Sequence, residues 1–235
     1  MRILIISDIH ANPWALEAVE KDAGQVDRVL CAGDTVNYGP APGACIDWLK
    51  KNDAAVICGN HDHAVAADAD PKAAPGKQPL ALAMRDWTRT QLRAPDIEWL
   101  RRLPRQKTFE LADAVWLMLH GTPADPLYDY RLRPDVADQI LDKMMHDVAA
   151  EVLVVGHTHL PFVRVRRKLQ IVNPGSVGQP LDGDSRAAYA IWNKGKIELR
   201  RVAYDQSPLL TALRALPLIE SQIEDLARII QTGTA

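Results

Sequence analysis

The stretch RILIISDIH, residues 2–10, decides the fold of this chain, because an apolar run ends abruptly in two metal-binding side chains. Ile3 to Ile6 predict a strand buried on both faces, as in parallel sheets covered by helices. Four further runs end in the same way: DRVLCAGD (27–34), AAVICGNHD (54–62), AVWLMLHG (114–121) and AEVLVVGHTH (150–159). Five of the seven histidines lie at these strand ends. If the strands lie side by side, their polar ends form one cluster.

Strands and helices alternate in the first half, which predicts parallel βαβ units. The predicted strands are 2–7, 27–32, 54–58, 107–111, 114–119, 151–155, 162–166, 169–172, 187–192 and 196–203. The predicted helices are 13–24, 44–51, 79–92, 96–102 and 135–146, and a tail at 208–231 broken near Pro217. The segment that follows His63, residues 64–79, is predicted as a loop.

The last four predicted strands indicate a second, more antiparallel sheet. The fold class is therefore α/β, with two packed mixed sheets and helices outside them. Residues 1–235 are predicted to form a single domain with a C-terminal helical tail from about 208. The tail is expected to pack on the body, and a homodimer contact through its apolar face is the alternative.

Composition excludes several classes of protein. The net charge of −2 provides no broad basic surface, so no clear nucleic-acid surface is predicted, and RVRRK (164–168) is interpreted as a solvated turn. The three cysteines have no paired spacing, which favours a reducing compartment over a disulfide framework. No apolar run approaches the roughly 18 residues of a membrane span, and no signal peptide is recognised. The expected location is the cytoplasm.

Seven strand-end side chains are candidate metal ligands: Asp8, His10, Asp34, Asn60, His120, His157 and His159. Each alone has an ordinary explanation, such as a helix cap, but their joint placement favours one site. Seven ligands exceed the needs of one ion, and two ions sharing Asp34 through its two oxygens fit the number. Imidazole mixed with oxygen ligands suits divalent transition metals, with Mn first and Fe, Zn, Ni or Co as alternatives.

These residues resemble a known family. Asp8-Ile9-His10, Gly33-Asp34, Gly59-Asn60-His61-Asp62, His120-Gly121 and Gly156-His157-Thr158-His159 resemble the five ordered motifs of calcineurin-like metallophosphoesterases, and the similarity continues through 173–178. Overall the chain is similar to the YfcE-like phosphodiesterase branch. The resemblance implies a four-layer αββα sandwich. It also implies a first metal on Asp8, His10, Asp34 and His159, and a second on Asp34, Asn60, His120 and His157.

The resemblance further implies a metal-dependent hydrolase that cleaves phosphate diesters through a hydroxide bridging the metals. His61 would face the substrate as a catalytic residue. Asp62 is a candidate for orienting it, with backbone capping as the alternative. Ser176 and Arg186, with Asn60, are candidate substrate-binding residues, and YDYRLR (128–133) is a comparable wall. For Arg186 the alternative is a surface ion pair. The expected partner is a small phosphate ester, with nucleotides among the candidates.

Other functions stay open at this point. The protein phosphatases of the family carry an Asp and an Arg where this chain has Asn37 and Tyr38, which weakens a protein-phosphatase assignment. A phosphomonoesterase, including the dinucleoside-tetraphosphate type, is the main alternative. A non-catalytic scaffold on the same fold is another, and the complete ligand set argues against it. A nuclease lacks the support of any basic domain.

Overall fold

The computed structural model describes residues 1–74 and 76–234. The described strands are β1 (Arg2–Ile6), β2 (Arg28–Cys31), β3 (Ala55–Val56), β4 (Gln106–Leu111), β5 (Ala114–Leu119), β6 (Val152–Val154), β7 (Phe162–Arg166), β8 (Leu169–Asn173), β9 (Ala187–Asn193) and β10 (Lys196–Val202). The described helices are α1 (Pro13–Ala23), α2 (Pro42–Lys51), α3 (Asn60–Ala67), α4 (Gln78–Gln91), α5 (Ala94–Arg101), α6 (Asp138–Met144), α7 (Ser207–Arg214) and α8 (Glu220–Thr232). None of these helices has the length and apolar character needed to cross a bilayer.

The strands form two five-stranded mixed sheets within the described residues, in the orders β10-β9-β1-β2-β3 and β4-β5-β6-β8-β7. In the first sheet β1 and β2 are parallel, with Ile5 opposite Leu30, and β9 runs antiparallel to β1. In the second sheet β5, β6 and β8 are parallel neighbours. The parallel strands of each sheet therefore present their carboxyl ends together.

Three apolar clusters separate four layers. The first cluster lies between the first sheet and helices α1 and α2, the second lies between the two sheets, and the third lies between the second sheet and α6. Ile3 and Ile5 of β1 face Trp116 and Met118 of β5 in the central layer, while Leu4 and the neighbouring Ile6 face the helices. Alternate residues of one strand thus enter different clusters because successive side chains point to opposite faces. The four-layer αββα prediction is confirmed.

The predicted sheet membership of the last two strands is wrong. β9 and β10 complete the first sheet, with Leu4 of β1 opposite Ile191 of β9, while β7 and β8 belong to the second. All residues of β9 except Asn193 are buried, because helices cover one face of the first sheet and the second sheet covers the other. Local alternation predicts strands well, but it does not identify the strand with which each will pair.

The predicted loop after His63 begins too early. Helix α3 starts at Asn60 and runs to Ala67, so residues 64–67 are helical. Asp62 stabilises its start by accepting a hydrogen bond from the backbone N–H of Gly59 at 3.1 Å. This is the third helical position, where an acidic side chain satisfies an otherwise unpaired amide. Because these residues also have metal-binding side chains, a helix beginning at Asn60 was not predicted from the sequence.

The C-terminal tail packs on the body of the protein. Leu209 and Leu213 of α7 and Leu226 and Ile230 of α8 are buried in one cluster with Tyr38 and side chains of α4. The apolar face of the tail is therefore covered by its own chain, as expected of a packed terminal helix. The predicted break near Pro217 lies between α7 and α8.

Candidate metal centre

The candidate ligands lie where the strands of both sheets end. Asp8 follows β1 and Asp34 follows β2, while Asn60 opens α3 just beyond β3. In the second sheet His120 directly follows β5, and His157 with its neighbour His159 follows β6. These positions, together with His10 two residues after Asp8, lie at the carboxyl end of parallel strands, which is the usual ligand crevice of α/β sheets.

Several ligands have unusual backbone conformations. Five of them have positive φ angles: Asp8 (53°), His10 (47°), Asp34 (54°), His157 (69°) and His159 (58°). Non-glycine residues in this region are strained by about 1–3 kcal/mol each, and such strain concentrates at functional sites. The turns stop each strand sharply and direct the side chains into the crevice.

One group of ligands consists of Asp8, His10 and His159, whose ligand atoms lie within 4.8 Å of one another. Nε2 of His159 is 3.3 Å from a carboxylate oxygen of Asp8 and 3.2 Å from Nε2 of His10. All three side chains are buried. This is the set that the resemblance assigns to the first metal, apart from the shared Asp34.

The second group consists of Asp34, His120 and His157, again within 4.8 Å. Nε2 of His120 is 3.1 Å from Oδ2 of Asp34 and 3.1 Å from Oδ1 of Asn60. The Asn60 amide nitrogen donates to the Pro71 carbonyl at 2.7 Å, which leaves its oxygen facing the group. The set assigned to the second metal is therefore brought together.

Asp34 lies between the two groups. Its Oδ2 is 3.1 Å from Nε2 of His120 in one group and 3.9 Å from Nε2 of His10 in the other. Its Oδ1 accepts a hydrogen bond from the backbone N–H of His61 at 2.9 Å. Oδ2 therefore approaches both groups while Oδ1 accepts from a backbone amide, and the sharing of two ions through both oxygens of Asp34 stays a prediction.

The donor atoms fit cations. Nδ1 of His120 lies 2.7 Å from the Ala32 carbonyl and Nδ1 of His10 lies 3.3 Å from the Val36 carbonyl, so both carry a proton there and direct Nε2 at the centre. His159 is held likewise by the Gln179 carbonyl. Nε2 of His157 is buried without a partner among the described residues. Converging lone pairs of this kind are stabilised by metal ions.

Histidine protonation differs between members of the centre. Burial, reinforced by neighbouring histidines, lowers the pKa of His10 to about 3 and that of His157 to about 3. Burial also opposes the charged form of His120, but Asp34 outweighs it and raises the pKa of His120 to about 9. At neutral pH His10 and His157 are therefore neutral, which is the state that a metal requires.

The two carboxylates keep their charge despite burial. Burial opposes ionisation of Asp8, but His159 outweighs it and holds its pKa below the usual value. Burial likewise opposes ionisation of Asp34, and His120 holds its pKa well below the usual value. The centre therefore has two buried negative charges beside the neutral imidazoles of His10 and His157, a combination that attracts divalent cations, and a bound cation would displace the second proton of His120.

His61 lies beside the centre and is held by an amide. Its ring centroid is 5.3 Å from that of His10, and its Nδ1 lies 2.7 Å from the amide nitrogen of Asn37. That nitrogen also donates to the Ala81 carbonyl at 3.2 Å, so the NH₂ end of Asn37 faces His61. Nδ1 of His61 must then accept, and its proton is on Nε2. Asn37 thus stands where the protein phosphatases carry an Asp, and its amide selects the His61 tautomer that is protonated on Nε2.

Asp62 has a structural placement. One carboxylate oxygen accepts from the backbone N–H groups of Thr35 at 2.9 Å and Val36 at 3.2 Å, and the other accepts from Gly59. These bonds hold the loop after Asp34 against the start of α3. The geometry favours the capping alternative over a role in orienting His61.

The predicted substrate-binding residues differ in their placement. Asn60 lies in the second ligand group, as described above. The Ser176 hydroxyl is buried, donates to the Asp8 carbonyl at 2.7 Å and accepts from the Gln179 N–H at 2.8 Å. Arg186 forms an ion pair with Asp184 at 2.7 Å, and its side chain is 54% exposed. Ser176 therefore positions the Asp8 loop. Arg186 forms the surface ion pair that was given as the alternative to substrate binding.

Two tyrosines lie against the centre. The ring of Tyr38 is 4.7 Å from that of His61, and the ring of Tyr130 stacks on His157 at 3.6 Å. Burial, followed by the proximity of Tyr130 and Asp34, raises the pKa of Tyr38. The segment 128–133 thus contributes to the wall that its composition suggested. Sequence reasoning registered Tyr38 only as a missing arginine, because an aromatic residue in a loop has no metal-binding signature.

A methyl group on Gly59 should weaken metal binding without changing any ligand. Its Cβ would lie 2.1 Å from Oδ1 of Asp34, although the φ of −91° suits alanine. We expect Gly59→Ala to displace Asp34 and lower Mn²⁺ affinity roughly 10- to 100-fold, the usual effect of disturbing a ligand's support. Equilibrium titration with Mn²⁺ measures this.

Gly43→Ala is the matched control for this glycine. Gly43 lies in α2, and a Cβ there meets nothing within 4 Å. We expect its Mn²⁺ affinity to equal that of the unsubstituted protein. Equal Mn²⁺ affinities for the two variants would show that Gly59 does not position Asp34.

Comparisons with known proteins agree with this geometry. Residues 1–194 match the model of the calcineurin-like phosphoesterase superfamily domain. A metallophosphoesterase from Sphaerobacter thermophilus is 33% identical over 100% of both chains, with a TM-score of 0.81. The uncharacterized protein MJ0912 of Methanocaldococcus jannaschii is 31% identical over 230 residues, covering 86% of this chain and 88% of that protein.

The fold extends to more distant structures. The hypothetical protein PH1004 from Pyrococcus horikoshii OT3 is 21% identical, covers 100% of this chain and 99% of its own, and has a TM-score of 0.84. It shows the same two-sheet fold at low identity. The family model matches most of the sequence. The family resemblance that the strand-end motifs predicted is therefore confirmed. This chain belongs to the calcineurin-like phosphoesterase superfamily.

Proposed function

We propose that this chain hydrolyses phosphate diesters with two divalent metal ions, Mn²⁺ being the first candidate. The observation that carries the proposal is the pair of adjoining ligand groups on either side of Oδ2 of Asp34. When bound, two such cations supply Lewis-acid charge and make a water nucleophilic at neutral pH. Members of this superfamily are phosphoesterases, which supports hydrolysis as the reaction class.

The chain's own residues hold and screen the reacting groups. The centre is buried, so few waters compete with the substrate and electrostatic interactions are strengthened there. The backbone carbonyls that hold Nδ1 of His10 and His120 fix the direction of each Nε2. Such preorganisation spares the site the cost of rearrangement during the reaction.

His61 is the candidate partner of the leaving oxygen. The contact with Asn37 places its proton on Nε2, and burial lowers its pKa to about 4. A neutral imidazole of this kind donates a hydrogen bond, so His61 would stabilise developing charge rather than transfer a proton as an imidazolium. Of these two roles, charge stabilisation and proton transfer, we therefore propose the first for His61.

A diester fits the charges better than a monoester does. Within residues 1–74 and 76–234, Asp8 and Asp34 form ion pairs with histidines and with no lysine or arginine. Arg186 is paired with Asp184 instead of facing the centre. A phosphate diester has one negative charge, whereas a monoester has nearly two at neutral pH. A centre with no additional cation therefore favours the singly charged substrate.

Hydrolysis assays test the proposal directly. The Mn²⁺-loaded protein should have a higher kcat/KM for bis-p-nitrophenyl phosphate than for p-nitrophenyl phosphate, and EDTA should abolish both activities. A higher kcat/KM for the monoester would identify a phosphomonoesterase. Two bound metals without hydrolysis of either ester would favour the scaffold function.

His61→Ala should lower the diester kcat roughly 10- to 100-fold, the range for losing a hydrogen bond to a charged group. The metal content should stay at that of the unsubstituted protein, because His61 is outside both ligand groups. His146→Ala is the control, since the His146 side chain is 81% exposed. An unchanged kcat in His61→Ala would remove His61 from the reaction.

A further inference from the structure

Two tyrosines lie against the metal centre, one at each ligand group. Tyr38 lies on the loop after β2, with its ring centroid 5.1 Å from that of His10 in the first ligand group. Tyr130 lies on the segment between β5 and α6, with its ring stacked at 3.6 Å and 27° on His157 of the second group. Each phenol ring therefore packs on a candidate ligand of a different group.

The two phenols differ from Tyr189 and Tyr204 in their hydrogen bonding. The hydroxyl groups of Tyr189 and Tyr204 bond to Asp22 and Asn12, respectively. Across the described part of the chain, neither Tyr38, which is 7% exposed, nor Tyr130, which is 36% exposed, has a hydroxyl partner in the protein. Both hydroxyls are therefore free to donate a hydrogen bond to a bound substrate.

Neutral donors suit a singly charged substrate. Tyr38 occupies the position where the family's protein phosphatases carry an arginine, and a phenol donates a hydrogen bond without adding a positive charge. A guanidinium would bind the doubly charged monoester more tightly than the diester, because it forms an ion pair with phosphate oxygens. A phenol has no charge, so its contact strengthens monoester binding less than a guanidinium would.

We propose that Tyr38 and Tyr130 are substrate-contacting residues that donate hydrogen bonds to the phosphoryl oxygens of the ester without adding a positive charge. This rests on the proposed hydrolysis of phosphate diesters by the same centre. Each ring lies against one ligand group, so both phenols can contact one phosphate bound at the centre. Tyr130 is 36% exposed and provides an aromatic surface for one ester group.

The experiment compares Tyr38→Phe, Tyr130→Phe and the double variant with the unsubstituted Mn²⁺-loaded protein. Each change removes a hydroxyl and keeps the ring that packs on a ligand. We expect the double variant to lose about 10- to 100-fold in kcat/KM for bis-p-nitrophenyl phosphate, from lost hydrogen bonds to a charged group. The loss for p-nitrophenyl phosphate should be of the same order, because a neutral donor does not distinguish one negative charge from two, and Mn²⁺ content should not change.

Tyr189→Phe is the matched control, because its hydroxyl bonds to Asp22 near the C-terminal end of α1 and not to the metal centre. Its kcat/KM for both esters should equal that of the unsubstituted protein. No loss for either ester in the double variant would overturn the assignment of Tyr38 and Tyr130. A monoester preference in the unsubstituted protein would instead overturn the proposed function.

Binding provides a readout that does not depend on turnover. Calorimetric titration of the Mn²⁺-loaded protein with diphenyl phosphate and with phenyl phosphate measures both affinities in each variant. We expect the double variant to bind diphenyl phosphate and phenyl phosphate each roughly tenfold more weakly. An unchanged affinity for diphenyl phosphate would refute substrate contact even if the protein hydrolysed neither ester.

Discussion

Asp34→Asn should abolish hydrolysis, with a loss of at least about a thousandfold in kcat/KM. Oδ1 of Asp34 accepts the His61 backbone N–H at 2.9 Å, so an amide in its place would keep oxygen there. The NH₂ group would then point at both ligand groups, where Oδ2 now lies. A donor aimed at two cations repels them, and metal ions are worth several kcal/mol to a hydrolytic transition state.

Metal analysis and kinetics check this result together. We expect fewer bound Mn²⁺ ions per chain in Asp34→Asn than in the unsubstituted protein. Asp96→Asn is the control, because Asp96 is also a buried carboxylate but pairs with Lys50 at 2.9 Å and Arg93 at 2.7 Å. Its Mn²⁺ content and kcat/KM should be unchanged. Full activity with two ions in Asp34→Asn would contradict the bridging placement.

Leu226→Ala should lower the free energy of unfolding by about 2–5 kcal/mol, the range for a buried leucine that leaves a cavity. Leu226 lies in α8, is 1% exposed and shares a cluster with Tyr38, Leu80 and Met84. Since small domains are stable by only about 5–15 kcal/mol, this change alone should shift the denaturation midpoint clearly. Urea denaturation of the Mn²⁺-loaded protein measures it.

The control for Leu226 is Leu199→Ala in β10, because Leu199 is 38% exposed. Its effect on the free energy of unfolding should be within about 0.5 kcal/mol. The measurement also separates packing on the body from a dimer contact. A loss of stability that depends on protein concentration would indicate a dimer, and a loss independent of it would confirm packing within one chain.

The metal centre could be predicted in large part from the sequence. Each ligand directly follows or closes an apolar run, and parallel strands bring such positions to one edge. The seven predicted ligands do converge, and they divide into the two groups that the family motifs imply, with Asn60 beside the second. The orientation of the Asp34 carboxylate was not predictable, because it depends on a backbone amide of a different loop.

One error has a clear physical origin. Sheet membership of β9 was mispredicted because its partner, β1, lies more than 180 residues away in the chain. Asp62 and Arg186 instead have the alternative placements that the sequence offered, a backbone cap at Gly59 and an ion pair with Asp184. Their partners are near in the chain, so local pattern could propose these contacts but could not choose between them and a role at the site.

The sequence by itself determined the family, the buried strands and the candidate ligands at their ends, because residue type and local periodicity suffice for each. Only the tertiary structure decided which oxygen of Asp34 faces both ligand groups, that Asn37 sets the tautomer of His61, and that Tyr130 lies on His157. These features are contacts between loops distant in the chain. Their energies depend on distance and direction in three dimensions, which no linear spacing encodes.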